Sequence, residues 1–429
     1  MSASAPSAPP AVRWIARTLE EAGFETWAVG GAVRDVLLGL PSGDWDLATR
    51  ARPEDVRRLF RRTVPLGVEH GTVGVLAEDG TLFEVTTFRR DVETDGRHAV
   101  VAFADALDDD LARRDFTINA IAWHPLRRAF RDPFGGREDL EARVLRCVGV
   151  PAQRFAEDWL RVLRALRFAG RFRMRIDDET WSALCGGVVH LTTLSAERIR
   201  EELVKVLDAD HVPSTALELY RTSGAVGVLY PELDAVAGDE ERWASVLATL
   251  DALPRGRPFL RLAALLRPLP AREAAQILTR LRLSNAQVDE TARRAAAPPL
   301  PPAGAADADF RRWLAEVGAE RLTAVSRLDM AASRARDPDR RGGGTAGVVA
   351  SWRRAREVRR RNPPLTVADL ALNGRDLIRL GLRPGPRFGA ILDALLSWVL
   401  ENPDRNTRRA LEARVRDVLG EEGEGGTRG

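Results

Sequence analysis

The sequence predicts an α/β head over residues 11–150, followed by an all-α remainder. Three observations predict it. Helix-period and strand-period apolar patterns alternate up to about residue 150. Beyond residue 151 the strand signals fade and long stretches of 3.6-residue periodicity take over. Near the start, Val29-Gly30-Gly31 passes from a short apolar run directly into an amphipathic one, as a strand–turn–helix does.

The elements follow in order. Val12–Ala22 reads as an amphipathic helix, Thr26–Val29 as a short strand and Ala32–Leu38 as the helix after the glycine turn. Asp44–Ala48 reads as a strand and Pro53–Phe60 as a helix. Thr72–Ala77 and Thr81–Arg89 read as two strands around Glu78-Asp79-Gly80, since Asp-Gly between apolar runs is a hairpin signal. The helical patterns then run Pro151–Arg171, Ser195–Leu207, Ala216–Leu229, Glu240–Leu253, Phe259–Leu266 and Ala271–Leu281. Two breaks interrupt them, the proline-rich Ala295–Asp309 and the glycine-rich Asp337–Gly347. Residues 1–10 and the Glu-Gly-rich end, 421–429, read as disordered, and no internal repeat is present.

Composition bounds the function. A chain of 429 residues, 45% hydrophobic and 30% charged, holds two to four globular domains. The net charge is only +3, yet Lys205 is the single lysine among 65 basic residues. Genomic base composition explains that bias in a chain also rich in Ala, Gly and Pro. Arginine forks nevertheless bind phosphates bidentately, so a nucleic-acid partner is compatible with it. Cys147 and Cys185 have no metal-ligand spacing, which points to a reducing compartment and no zinc site. The first residues lack a basic and apolar leader. Phe388–Leu400 is short and interrupted by Asp393, so no membrane span is expected and the chain reads as cytoplasmic.

Three blocks carry chemistry. A glycine turn at a helix start exposes backbone N–H groups that hold phosphate oxygens. After a short spacer come Asp44 and Asp46, which on one strand would share a face and divalent metals. Together they point to a nucleoside triphosphate under two-metal catalysis. A dinucleotide-binding reading fits worse, because the first glycine of Gly-x-Gly-x-x-Gly is out of register. The second block is Leu111–Ala122, where Asp115 and Asn119 would share one helical face just after Arg113 and Arg114. The alternative there is a capped helix with solvated arginines. In the third block, Asp158, Arg161, Arg164 and Arg167 recur every three residues as a stripe along one helix. Its alternative is a solvated stripe of weak ion pairs.

In their order along the chain, Gly-Gly-Ala-Val-Arg-Asp with Asp44-Trp45-Asp46, Arg-Arg-Asp-Phe-Thr-Ile-Asn-Ala, Asp132–Leu140 and Glu157–Ala169 resemble the class II tRNA nucleotidyltransferases (CCA-adding enzymes) and the related bacterial poly(A) polymerases. Ser195–Leu203 is similar to the family's next neck helix, and Gly374–Pro386 to its tail motif. The resemblance spans roughly residues 24–400, with only generic helices between about 210 and 350. It implies a DNA polymerase β-like nucleotidyltransferase head (11–150), a helical neck that binds the nucleobase (151–210), a helical body (211–350) and a tRNA-binding tail (351–420).

Carried onto these positions, Gly31 and Arg34 hold the triphosphate, and Asp44 and Asp46 bind two Mg2+, with Glu84 as a third carboxylate. Arg114 contacts phosphate, Asp115 and Asn119 the ribose, and Asp158 and Arg161 the base, with Arg164 and Arg167 lining the pocket. A carboxylate accepts from the amino groups of cytosine and adenine and opposes the carbonyls of uracil and guanine, so CTP and ATP would be admitted. Arg89–Asp110 is similar to the loop that switches the pocket from C to A, although Ala99-Val100 replaces a proline-containing stretch. The partner implied is tRNA, at its acceptor stem and elbow, and the basic run Trp352–Asn362 would grip its phosphates. His70 would shape the pocket wall. Same-family alternatives are A-only or poly(A) addition. Another class, an RNA-binding protein without catalysis, is disfavoured by the intact Asp44 and Asp46, and a fused phosphohydrolase lacks its His-Asp cluster. The sequence leaves the oligomeric state open.

Overall fold

In a computed structural model, residues 7–94, 99–208, 212–336 and 343–425 are described. The chain forms two compact units, Met1–Asp234 and Ala235–Gly429.

The first unit begins with α1 (Pro10–Glu21), whose Val12, Ile15, Ala16 and Leu19 are buried, as the helical period requires. The head continues as β1 (Thr26–Val29), α2 (Gly31–Leu37), β2 (Asp46–Thr49), α3 (Pro53–Leu59), β3 (Thr63–Gly67), β4 (Thr72–Leu76) and β5 (Leu82–Thr87). Next come β6 (Arg89–Thr94), β7 (Ala99–Phe103), α4 (Leu107–Ala112), a 3-10 turn (Thr117–Asn119), β8 (Ala122–Trp123) and β9 (Phe130–Arg131). Seven strands form one mixed sheet in the order β3-β4-β5-β2-β1-β8-β9. The β2–β5 pair is parallel and the other neighbours are antiparallel.

Register builds the site. Val29 pairs with Asp46, and Leu47 pairs with Val85, which sets Glu84 beside Asp46. The expected strand Asp44–Ala48 begins later, so Asp44 lies exposed ahead of β2 and outside its pleat. Strand β3 escaped the sequence reading because Pro65, Leu66 and Gly67 break the period-2 pattern at a bulge. Within the expected loop Arg89–Asp110, β6 and β7 pair as a hairpin, and Asp95–His98 lie outside the described residues.

Helices follow: α5 (Gly136–Ala142), β10 (Val144–Leu145), α6 (Pro151–Glu157), α7 (Leu160–Phe172), β11 (Arg175–Ile176), α8 (Asp178–Gly187), α9 (Ala196–Asp208), α10 (Pro213–Thr222) and α11 (Ala225–Leu229). The single helix expected over Pro151–Arg171 is broken at Asp158, whose φ of −159° takes it out of the helical region. Ala216–Leu229 is likewise split at Gly224, with φ +85°. Helix α10 packs directly on α7, with no room at Gly170 for a Cβ against Ala216 Cα. Residues past 210 therefore belong with the first unit, which ends at Asp234.

The second unit is helical: α12 (Asp234–Ala237), α13 (Glu240–Asp251), α14 (Pro258–Leu266), α15 (Ala271–Arg280), α16 (Asn285–Ala296), α17 (Asp307–Val317), α18 (Leu322–Arg336), α19 (Gly343–Arg360), α20 (Gly374–Arg379), α21 (Arg387–Glu401) and α22 (Arg408–Gly425). The first of these straddles the division between the units. Phe310, Trp313, Leu314 and Val325 share one core with Ala355 and Val358, so no break in packing marks residue 350. A separate small core joins Leu372, Leu377, Leu395 and Leu411. Two expected breaks shift: Gly343, Gly344 and Gly347 lie inside α19, and α22 continues past Leu419 to Gly425. Residues 1–6, 337–342 and 426–429 lie outside the described ones. Among the described residues no helix is long and apolar enough to cross a membrane.

Candidate active site

A cavity of about 550 Å3 opens in the first unit. Its floor is the sheet: Val29, Asp46, Ala48, Thr72, Glu84 and Thr86. Gly30 and Gly31 close one end, Asp110, Arg113, Arg114, Asp115 and Asn119 a side, and Asp158, Leu160, Arg161, Arg164 and Arg198 the opposite wall.

Gly30 has φ +73° and ψ −134°, a backbone state that only glycine adopts without strain. A Cβ there would also stand 2.9 Å from Arg114 Nη1. The turn thus lets one arginine lie across the strand end, and α2 starts at Gly31 with its first N–H groups at the cavity.

Asp46 is half-buried and its carboxyl is pushed up to about 6. Burial is the largest cause, followed by the neighbouring charges of Asp44 and then Glu84, while Arg114 opposes them. Such crowding of negative charge is what a cation relieves, and carboxylate oxygens suit a hard ion such as Mg2+. The acids are not drawn into a closed cage: among the described residues no three metal-ligating side chains stand together closely enough to hold an ion.

Arg114 donates from Nη1 to the Asn119 carbonyl (3.1 Å) and from Nη2 to Asp110 Oδ2 (3.1 Å). Asp115 and Asn119 sit around a 3-10 turn rather than on an α-helix, yet they touch: Asn119 Nδ2 donates to Asp115 Oδ1 at 2.9 Å. Asp115 Oδ2 accepts from Arg164 Nε at 2.7 Å. Burial would raise the Asp115 carboxyl, but Arg164, Asn119 and the Phe116 N–H together hold it below its ordinary value.

The residues expected to read the base are arranged differently from a helical stripe. Asp158 lies in the gap between α6 and α7. Its Oδ1 accepts from the Leu160 N–H (3.0 Å) and its Oδ2 from Arg198 Nη2 (2.7 Å). Arg161 is bonded to Glu157 and to the carbonyls of Arg154 (2.9 Å) and Arg113 (3.2 Å).

Three expected pocket residues do not line the cavity. Arg34 is buried, donating to Asp35 (2.8 and 2.6 Å) and Asn119 Oδ1 (2.6 Å), with its guanidinium over Phe168 and Phe172. It ties α2 to α7. Arg167 is buried against Glu202 (2.6 Å), and His70 is exposed, its carbonyl accepting from Arg89 (2.8 Å) at the cavity's edge. Asp44 also falls outside the lining, although its charge reaches Asp46. Residues that the sequence reading left without a role line it: Thr72, Thr86, Arg89, Asp110, Arg113 and Arg198. Asp110 stands four residues before Arg114, a spacing that signals an ion pair on a helix. Arg198 had no signal beyond its place in a family motif.

The chain is similar to known proteins over most of its length. Residues 26–146 match the Poly A polymerase head domain, and residues 173–236 match the family described as "Probable RNA and SrmB- binding site of polymerase A". A CCA-adding enzyme of Lactobacillus delbrueckii subsp. bulgaricus is 35% identical over 400 residues, 92% of this chain and 95% of that protein. One from Geobacillus kaustophilus is 35% identical over 420 residues, 93% of this chain and 94% of its own length. The crystal structure of the Bacillus stearothermophilus CCA-adding enzyme in complex with CTP is 31% identical with a TM-score of 0.72, covering 97% of this chain and 100% of that one. Likeness of this extent, with a glycine turn, acidic strand end and arginine wall around one cavity, shows that the chain belongs to the CCA-adding enzyme family and is a nucleotidyltransferase.

Proposed function

We propose that the enzyme adds C, C and A to the 3′ end of tRNA from CTP and ATP, in the cytoplasm, without a nucleic-acid template. One observation carries this reading: a single cavity holds Asp46 and Glu84 on its floor and Asp158 with Arg161 on its wall. The first pair suits the reacting phosphate and the second the base. The head (11–150), neck (151–210), body (211–350) and tail (351–420) then divide catalysis, base reading and tRNA grip.

Asp44 and Asp46, with Glu84 beside them, are the residues that would hold Mg2+. When bound, divalent ions favour the alkoxide form of a 3′-hydroxyl and neutralise departing pyrophosphate. The protein's own groups do the rest. The N–H groups after Gly30 and the Arg114 guanidinium orient the triphosphate so that the 3′-oxygen bonds to the α-phosphorus while the α–β anhydride bond breaks. Asp115 and Asn119 meet the ribose, and Arg164 fixes Asp115. Asp158 accepts from the amino group of cytosine or adenine, and Arg161 donates to ring acceptors. Each well-made contact pair is worth about 1–3 kcal/mol of discrimination.

The test uses purified protein with Mg2+, CTP and ATP on tRNA ending at position 73, on tRNA ending in CC, and on unstructured RNA. Addition of CCA to the first is expected. A on the second with nothing added to the first, or long A tails on the third, would select the other family activities, and RNA binding with no addition a non-catalytic role. Replacing Asp44 and Asp46 together by Ala is expected to abolish addition without unfolding the head; retained incorporation sinks the metal assignment.

A further inference from the structure

Asp158 does not owe its orientation to a helix. It sits in the break between α6 and α7, with φ −159° and ψ 105°. The Leu160 N–H holds Oδ1 at 3.0 Å, but one such bond leaves the carboxylate free to turn about its last torsion, which is broad for an sp3–sp2 bond. The second hold comes from a different element. Arg198, on the first turn of α9, donates Nη2 to Oδ2 at 2.7 Å, and both side chains line the cavity. Each is only about a third exposed, at 32% and 28%. Arg161, the expected reader beside Asp158, makes no side-chain bond to it, because its guanidinium is bonded to Glu157 and two carbonyls.

We infer that Arg198 is a positioning residue for base selection. It pins the plane of the Asp158 carboxylate, so that a remaining lone pair points at the edge of the incoming base. This rests on the proposed reading of Asp158 as the group that meets the base. A carboxylate oxygen has two lone pairs, so Oδ2 can keep Arg198 and still accept an amino hydrogen. Arg198 also sets a repulsive condition. A uracil or guanine carbonyl would face a fixed carboxylate oxygen that cannot swing aside, and selectivity needs such a penalty as much as an attraction. A freely turning carboxylate would lose both.

The experiment measures single-nucleotide incorporation on tRNA ending at position 73, with CTP and UTP, for the parent, Arg198→Ala, Arg198→Lys, Asp158→Ala and the double variant. Arg198→Ala should raise KM for CTP and narrow the CTP-over-UTP preference about tenfold, with a smaller change in kcat. Arg198→Lys should restore part of the preference, since an ammonium reaches one oxygen without the fork. In the Asp158→Ala background, removing Arg198 should add little, the mark of two groups acting as a unit. Equal losses for CTP and UTP in both Arg198 variants would overturn the inference and leave Arg198 structural. Additive losses of preference in the double variant would also overturn it. No incorporation by the parent with any nucleotide would overturn the underlying activity and the inference with it.

Discussion

Asp46 begins β2 beside Glu84, and its carboxyl titrates near 6 against an ordinary 3.8. The folded value lies above the unfolded one, so ionised Asp46 destabilises the metal-free fold. The cost is absent below about pH 4, grows as pH rises to about 6, and reaches at most about 3 kcal/mol above that. Asp46→Asn should therefore raise the melting temperature of metal-free protein at pH 7.5, and the gain should vanish near pH 4. Added Mg2+ should stabilise the parent, by about 2.7 kcal/mol at a hundredfold excess over Kd, and leave the variant unmoved. Thermal melts with and without EDTA read both effects. Arg167 presents the opposite case. Its Glu202 partner is 2% exposed and keeps only Lys205 (3.0 Å) when the arginine is removed, so Arg167→Ala should cost about 1–3 kcal/mol in a denaturant titration while nucleotide preference stays as in the parent. The sequence showed Arg34 and Arg167 in the right motifs but not their direction. Asn119 with two phenylalanines of α7, and Glu202 of α9, turn them inward, and those partners come from other elements.

At the scale of elements, two glycines set distances. Gly30→Ala forces a strained backbone and drives a methyl group to within 2.9 Å of Arg114 Nη1. The expected cost is about 1–3 kcal/mol in stability, together with weaker binding of every nucleoside triphosphate alike, read by calorimetric titration. Gly170→Ala wedges α7 from α10, where a Cβ would meet Ala216 Cα at 2.5 Å, and should lower the melting temperature. The sequence revealed β1, α2 and α3 nearly residue for residue, because apolar period, glycine turn and Pro53 at a helix start all agree. It misread the stretch through Asp158, where apolar spacing continues across a turn that only backbone hydrogen bonds disclose. The β6–β7 hairpin was hidden for a related reason: its strands pair with each other and not with the main sheet.

For the whole molecule, the family motifs mark the first unit densely and the second hardly at all. Helix α19 carries the basic run, and its arginines divide by partner. Arg354 is paired with Asp307 (2.6 Å) and Glu357 (2.8 Å), whereas Arg353, Arg359 and Arg360 are exposed. Replacing those three by Ala should weaken tRNA binding uniformly across tRNA sequences and flatten its salt dependence, as loss of phosphate contacts does. Filter binding from 50 to about 200 mM salt reads the slope, and CTP binding should stay unchanged. Generic helical periodicity predicted that this unit folds; it said nothing about which face meets RNA, since that depends on which arginines lack acids nearby.

The gap between α6 and α7 has an evolutionary consequence. A pocket residue within a helix would have its direction dictated by the helical ladder, and redirecting it would mean rebuilding the helix. Asp158 takes its direction from an N–H two residues ahead and from one arginine on another helix. Under the proposed reading, exchanging that arginine alone would loosen the choice of nucleotide, with the fold, the acidic strand end and the glycine turn inherited untouched.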